Sequence, residues 1–297
     1  MNVLVTGGLG FVGSHLVDYL VQDTDCIVAV IDDLSSESSS IEYKNARAHY
    51  MINDIRDIND EVTVKRLQAL VNGTFDVVYH LAARARIQPS FKKPTEYFDI
   101  DARGTCEVLD FARKQDAKLV YAGSSSACAD PKLNPYAFSK YVGEELCMMF
   151  NQVYGMDVTV ARFFNVYGDR QPVSGPYATV VGVFEDLTRR GMPLTITGTG
   201  EQRRDFTHVS DIVKGLISLS APGIGTGVFN LGTGRNYSIN ELASFFMGSV
   251  GAVQYIPSRP GEALFTLADV ADVNRATGWS ADVVLKDYVT AWKRINF

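Results

Sequence analysis

A chain of 297 residues, 46% apolar and 21% charged, can build one large core or two joined ones, and this composition excludes a disordered segment, a collagen-like repeat and a disulfide-stapled miniprotein. With 28 Lys and Arg against 34 Asp and Glu, the net charge of −6 offers no global positive field for nucleic acid or an anionic membrane, so basic residues that matter act locally. No apolar run reaches the roughly 18–20 residues of a membrane span, and Met1 leads into an apolar segment without a charged leader, which points to a cytoplasmic protein. Cys26, Cys106, Cys128 and Cys147 form no CxxC pair, and His15, His49, His80 and His208 show no ligand spacing. Buried thiols in a reducing compartment, rather than disulfides or zinc, are therefore expected.

In chain order, strand-length apolar runs fall at 3–6, 27–31, 50–52, 77–81, 119–122 and 158–161, with helical periodicity at 11–22, 59–72, 95–115 and 136–154 between them. Nearly continuous apolar strands alternating with helices predict a parallel sheet covered on both faces. Right-handed crossovers make it doubly wound, an α/β fold of Rossmann type. After residue 167 the rhythm breaks into an irregular piece to Tyr177, a helix to Gly191, strands near 194–197 and 228–231, and helices near 210–220, 239–248 and 282–294. This reads as a smaller mixed α/β lobe that exchanges chain with the first. The larger lobe takes 1–167 and about 207–230, the smaller about 168–206 and 231–297. With no Pro- or Gly-rich linker, the lobes are expected to form one rigid unit around a cleft.

The first strand leads into Thr6-Gly7-Gly8-Leu9-Gly10-Phe11-Val12-Gly13 at the opening of a helix, readable as GxxGxxG through Gly7, Gly10 and Gly13 or as GxGxxG from Gly8. Either register brings bare backbone to a pyrophosphate, with the helix N–H groups and positive dipole end facing it. Any tight strand–helix turn can use such glycines, so context decides. Asp32-Asp33 ends the second strand, and Asp32 follows Gly10 by 22 residues, the separation at which an acid meets the adenosine ribose and repels a 2′-phosphate, favouring NAD. Asp54 and Ile55 after the third strand, and His80-Leu81-Ala82-Ala83 closing the fourth, lie at the carboxyl edge where ligands of such sheets bind.

Tyr136 and Lys140 stand four apart in a helix with Asn134 as N-cap and Pro135 as its first residue. One helix face carries both. The ammonium, with the nicotinamide cation, is expected to draw the phenol down from its usual value near 10 towards neutrality and make Tyr136 a general base. The fifth strand runs into Gly123-Ser124-Ser125-Ser126 at the same edge, where a serine hydroxyl can donate to the substrate oxygen.

Together these residues resemble the extended short-chain dehydrogenase/reductase family, in particular its NAD-dependent nucleotide-sugar epimerases and dehydratases. The resemblance spans nearly the whole chain: TGGLGFVGSHL at the start, HLAA at 80–83, SSSA at 124–127, YAFSK at 136–140, RFFNVYG at 162–168, GEQRRDFTHVSD at 200–211, FNLGTGRNYSINEL at 229–242 and RPGE at 259–262. It implies Ser126 as the catalytic hydroxyl, Tyr136 as the base, Lys140 on the nicotinamide ribose and Phe164 near the nicotinamide, with Phe11 and Val12 joining the glycines around the cofactor. In the smaller lobe Asn165, Arg204 and Arg259 look like ligands of the substrate diphosphate and Glu262 like the acid at the nucleoside ribose. Planar guanidiniums suit phosphate oxygens. Arg203 stays open between the site and solvent. Thr266, seven residues after Arg259, resembles a gate whose small residue leaves UDP-N-acetylglucosamine or its uronate open alongside UDP-glucose. A homodimer through helices 95–115 and 136–154 is implied as well, with Phe98, Leu109 and Met148 open between interface and core.

Within that family the expected reaction is C4 epimerisation of a UDP-hexose or UDP-N-acetylhexosamine through a 4-keto sugar. Ala127 and Cys128 stand where dehydratases carry an acid pair, and the acid that glucuronate decarboxylases keep near this motif is missing. A 4,6-dehydratase or UDP-glucuronate decarboxylase is the alternative. A non-catalytic NAD-binding sensor is opposed by the intact Ser126, Tyr136 and Lys140. Two departures stand out. Only nine residues separate Ser126 from Tyr136, so a wall of the substrate pocket is expected to be missing. Asp101 replaces the asparagine of relatives, and if it faces the cofactor its charge favours the oxidised nicotinamide.

Overall fold

In the computed structural model, which describes residues 1–36, 38–128, 130–247 and 252–297, the chain opens with β1 (Asn2–Thr6), α1 (Phe11–Leu20), β2 (Ile27–Asp32), β3 (His49–Ile52), α2 (Glu61–Val71) and β4 (Val77–His80). Two short helices follow, α3 (Ile87–Lys92) and α4 (Pro94–Tyr97), then a π-helical turn (Phe98–Arg103), α5 (Gly104–Gln115), β5 (Lys118–Ser124), α6 (Pro135–Tyr154) and β6 (Val158–Phe163). The rest comprises β7 (Val166–Tyr167), α7 (Val180–Arg189), β8 (Leu194–Thr197), β9 (Arg203–Asp205), β10 (Thr207–His208), α8 (Val209–Ser220), β11 (Gly227–Leu231), β12 (Asn236–Ser238), α9 (Ile239–Phe246), β13 (Val253–Ile256), α10 (Ala271–Thr277) and α11 (Leu285–Asn296). The last two positions of the helix expected at 239–248 differ: Met247 caps α9, and residue 248 lies outside the described residues.

Seven parallel strands in the order β11-β6-β5-β4-β1-β2-β3 form the main sheet. Helices cover both faces, which is why the strands read as unbroken apolar runs. On one face Leu67 and Val71 of α2, Val108 and Phe111 of α5, and Cys147 and Phe150 of α6 form a buried core. On the other, Leu16, Val17 and Leu20 of α1 pack with Ile212, Leu216 and Leu219 of α8. The order reverses between β1 and β4, so a crevice opens at the carboxyl ends of those two strands. A third core, with Phe184, Ile196, Leu242, Phe246, Val289 and Trp292, holds the smaller lobe.

Two elements depart from the sequence reading. The helix expected over 95–115 is broken at Phe98–Arg103, where the wider π turn buries Asp101. Within 231–297, assigned to the smaller lobe, Val273 and Trp279 instead join the α1/α8 core, and the Trp279 indole N–H donates to the Asp211 carbonyl at 3.0 Å. Among the described residues no helix is long and apolar enough to cross a membrane.

Candidate active site

β1 ends at Thr6, and the chain turns within a few residues into α1. Gly7 adopts φ +71°, and a Cβ there would lie 2.7 Å from the Ala82 nitrogen; a Cβ on Gly13 would lie 2.1 Å from the Gly7 carbonyl oxygen. Only glycine fits that packing of turn, helix and β4. Gly10 is extended and α1 has no side-chain cap, so the first-turn amides open onto the crevice. Across from them Asp32 accepts from the amides of Leu9 (2.9 Å) and Leu34 (2.8 Å); burial pushes its pKa up, and these amides pull it back. Asp33 accepts from the Ser35 amide at 2.9 Å. Asp54, held below the usual carboxylate range by Arg56, lies with Ile55, Leu81, Ala82 and Ala83 on the same wall. His80 is not part of this wall. Its Nδ1 meets the Thr6 hydroxyl at 2.8 Å and its Nε2 the Thr105 hydroxyl at 3.0 Å, and burial pushes its pKa down to about 3, so it is a neutral strut. A glycine-only cradle under a helix N-terminus, facing a buried acid, fits a dinucleotide.

Gly7, Gly10, Phe11, Val12, Gly13, Asp32 and Asp33 line a cleft of about 460 Å³ that Ser124, Ser126, Tyr136 and Lys140 line as well. Asn134 caps α6 by accepting from the Ala137 amide at 2.8 Å, with Pro135 as first residue, and this presents Tyr136 and Lys140 to the cleft. The Tyr136 hydroxyl donates to Ser124 Oγ at 3.3 Å, and Ser124 Oγ accepts from the Ser126 amide at 3.2 Å. The serine touching the phenol is thus the first of the run, because Ser124 is the last residue of β5 and the chain then coils into a tight turn at Ser125–Ala127. Ser126 lines the cleft two residues further on.

The expected lowering of the Tyr136 pKa by Lys140 is not found in the protein alone. Burial pushes the phenol up, the Ser124 hydrogen bond and Arg86 pull it down, and Asp101 and Glu144 push it up. The Lys140 ammonium is engaged elsewhere, 4.2 Å over the Tyr121 ring and flanked by Asp101 and Glu144; burial lowers its pKa while these carboxylates raise it.

Asp101 does not face the cofactor end of the cleft. It lies beneath α6, 1% exposed, accepting from the Arg84 amide at 2.6 Å and the Ser139 hydroxyl at 2.9 Å. Burial pushes its pKa up to about 6, against Lys140, those two donors and Arg84. The folded protein therefore holds this proton up to about pH 6, whereas the unfolded chain holds it only to about pH 4, so stability falls between pH 4 and 6, where the unfolded chain alone ionises, and the loss is complete above pH 6. From pH 3 to pH 7, Asp101→Asn is expected to gain on the natural chain by up to about 3 kcal/mol, most of it between pH 4 and 6, read from urea midpoints. A stability difference independent of pH contradicts this.

Asn165, Arg204, Arg259 and Glu262 line the same cleft. Arg204 lies 3.9 Å from Glu262. Arg203 is turned away, donating to Asn236 Oδ1 at 2.9 Å and pairing with Glu241 at 2.9 Å. The Asn165 amide donates to the Asp205 carbonyl at 2.9 Å, so its side chain is oriented by β9. Two expectations are corrected. Phe164 is 2% exposed and off the cleft, which its neighbour Phe163 lines instead, since successive residues of an extended chain point to opposite sides. Thr266 does not line the cleft either: its hydroxyl accepts from Asn165 Nδ2 at 3.3 Å and the Asp205 amide at 3.4 Å, so it supports Asn165. The loop carrying Arg259 and Glu262 is tied to the larger lobe by Gln88, which donates to the Pro260 carbonyl, and by Asn134, which donates to the Gly261 carbonyl, both at 2.9 Å. These bonds join the lobes across the cleft.

Sequence reading singled out Ser126 rather than Ser124 from the serine run and passed over Phe163, Arg86 and Tyr177, all on the cleft wall with Ser124. For Arg86 a signal existed: HLAA at the carboxyl edge is followed by Arg84-Ala85-Arg86.

A dinucleotide cradle, a buried tyrosine–lysine pair and arginines on the same cleft define one class of protein, and the chain belongs to it: the NAD dependent epimerase/dehydratase family, matched over residues 3–232. It is 32% identical over 316 aligned positions to a Methanocaldococcus jannaschii protein provisionally named UDP-glucose 4-epimerase, covering 99% of both chains. Its fold is similar to the crystal structure of a UDP-glucose 4-epimerase with UDP-glucose from Thermotoga maritima (TM-score 0.89, 31% identity, 99% of both chains). It is similar as well to a Bacillus cereus UDP-glucuronic acid 4-epimerase in complex with UDP-glucuronic acid and NAD (TM-score 0.87, 27% identity, 99% of this chain and 100% of that one).

Proposed function

We propose that the protein inverts C4 of a UDP-hexose or UDP-N-acetylhexosamine through a 4-keto sugar. The observation that carries this reading is that Tyr136, with Ser124 at 3.3 Å, lines one cleft together with the glycine cradle and with Arg204 and Arg259. Arg204, Arg259 and the oriented Asn165 hold the diphosphate, and Glu262 meets the nucleoside ribose. Tyr136 takes the proton of the 4-hydroxyl and later returns one, with Ser124 and Ser126 at hand to donate to the same oxygen. Bound NAD, on the wall of Gly7–Gly13, Asp32 and Lys140, supplies a hydride acceptor at C4 and a positive ring that favours the phenolate. Tethering by the diphosphate leaves the sugar free to turn over in the cleft between the two half-reactions.

Elimination of water needs an acid after the serines, and Ala127 and Cys128 supply none. Incubation with UDP-, dTDP- and GDP-sugars followed by mass analysis is expected to give a UDP-sugar isomer of unchanged mass; loss of water or carbon dioxide contradicts the reading. We further propose that the enzyme acts in the cytoplasm as a homodimer through α5 and α6, where Met149, Val153 and Tyr154 are exposed.

A further inference from the structure

Arg86 lies on the loop after β4, and its side chain lines the cleft with Tyr136. Its backbone is strained, at φ +84° and ψ 141°, a conformation that favours glycine. The Tyr97 hydroxyl holds it there, donating to the carbonyls of Ala85 (2.7 Å) and Arg86 (3.0 Å). From Nε the guanidinium donates to the Tyr177 carbonyl at 2.9 Å. Among the described residues no carboxylate pairs with it, whereas its cleft neighbours Arg84 and Arg204 meet Glu96 at 2.9 Å and Glu262 at 3.9 Å. Burial lowers its pKa, and the phenols of Tyr136 and Tyr97 are the groups near enough to act on its charge. An arginine stays charged at any working pH. A cation kept in a strained loop, partly desolvated and without an acid, is satisfied by an anion from outside the chain.

The diphosphate has cations of its own in Arg204 and Arg259 on the cleft wall, whereas the charge of Arg86 acts on the phenol of Tyr136. We propose that Arg86 recognises a carboxylate on the sugar itself, so that the substrate is a UDP-hexuronate. In a hexuronate the carboxylate is borne on C5, next to the carbon that Tyr136 serves, and a planar guanidinium fork matches it in a two-pronged contact. The pairing has a chemical use. A 4-ketouronate is a β-keto acid, and an ion pair stabilises its carboxylate but not neutral carbon dioxide, so the group is retained while the ketone exists. This inference rests on the 4-epimerase reading and deepens it: the sugar is the C6-oxidised form of the hexose or N-acetylhexosamine proposed above.

The test is calorimetric titration of the NAD-loaded protein with UDP-glucuronate and UDP-glucose, with C4 inversion followed by NMR on the same samples. The uronate is expected to bind about 10- to 100-fold tighter, the factor of a charge-assisted hydrogen bond. That ratio falls towards one in Arg86→Gly, whose residue suits the backbone at position 86, and is partly kept in Arg86→Lys. Equal affinities in the natural protein, or a ratio unmoved by Arg86→Gly, overturn the assignment. A uronate preference that Arg86→Gly removes, without C4 inversion of either sugar, upholds the carboxylate site and contradicts the epimerase reading instead.

Discussion

Tyr136→Phe is expected to lower kcat by about 10²- to 10⁴-fold with little change in KM, the range for removing a general acid–base group. The substitution deletes one oxygen. The ring keeps its edge-on contact with Tyr97, at 6.2 Å between centroids, and its place at the start of α6, so folding and sugar binding are preserved. The lost groups are the donor to Ser124 and the acceptor of the 4-hydroxyl proton. Because burial raises the Tyr136 pKa in the free protein, kcat/KM of the natural enzyme rises with pH as the phenolate fills. In Tyr136→Phe that rise disappears. Initial rates across pH check both points, and a variant with near-natural turnover removes Tyr136 from the chemistry.

Gly13→Ala acts through the backbone. The added methyl would stand 2.1 Å from the Gly7 carbonyl oxygen and 2.8 Å from the Gly8 Cα, main-chain atoms that cannot swing aside, so α1 must move off β1. Overpacking of this kind costs about 1–3 kcal/mol, occasionally more, and here the displaced element carries the amides of the phosphate cradle. The purified variant is expected to melt lower and to have lost most of its NAD, measured as nucleotide released on denaturation. Full occupancy in Gly13→Ala contradicts the assignment of this turn to the cofactor.

The large sheet was readable because both its faces are buried, which leaves apolar runs in β1, β2, β4, β5 and β6 that alternate with long amphipathic helices. β7, β9, β10 and β12 span only two or three residues each, too short for any period, and exist through pairings set by tertiary contacts. Tyr136 and Lys140 were legible because helix spacing and the Asn134–Pro135 start fix them locally. The side on which a residue falls was not. Phe163 rather than Phe164 reaches the cleft, and Ser124 rather than Ser126 meets the phenol, since each choice depends on where a strand ends. Whether Asp101 faces the cofactor was left open, because nothing local announces the π turn that carries it under α6. Lys140 was assigned to Tyr136 by helix spacing, and the competing hold of Asp101 and Tyr121 comes from separate parts of the chain, joined by Glu144 one turn further along α6.

The central claim, that C4 itself is oxidised and then reduced within one cleft, is tested most directly by a nucleotide sugar carrying deuterium at C4. The deuterium is predicted to remain on C4 of the epimer, with configuration inverted and nothing passed to solvent. Product whose label has exchanged into water, or whose C4 configuration is unchanged, contradicts the account.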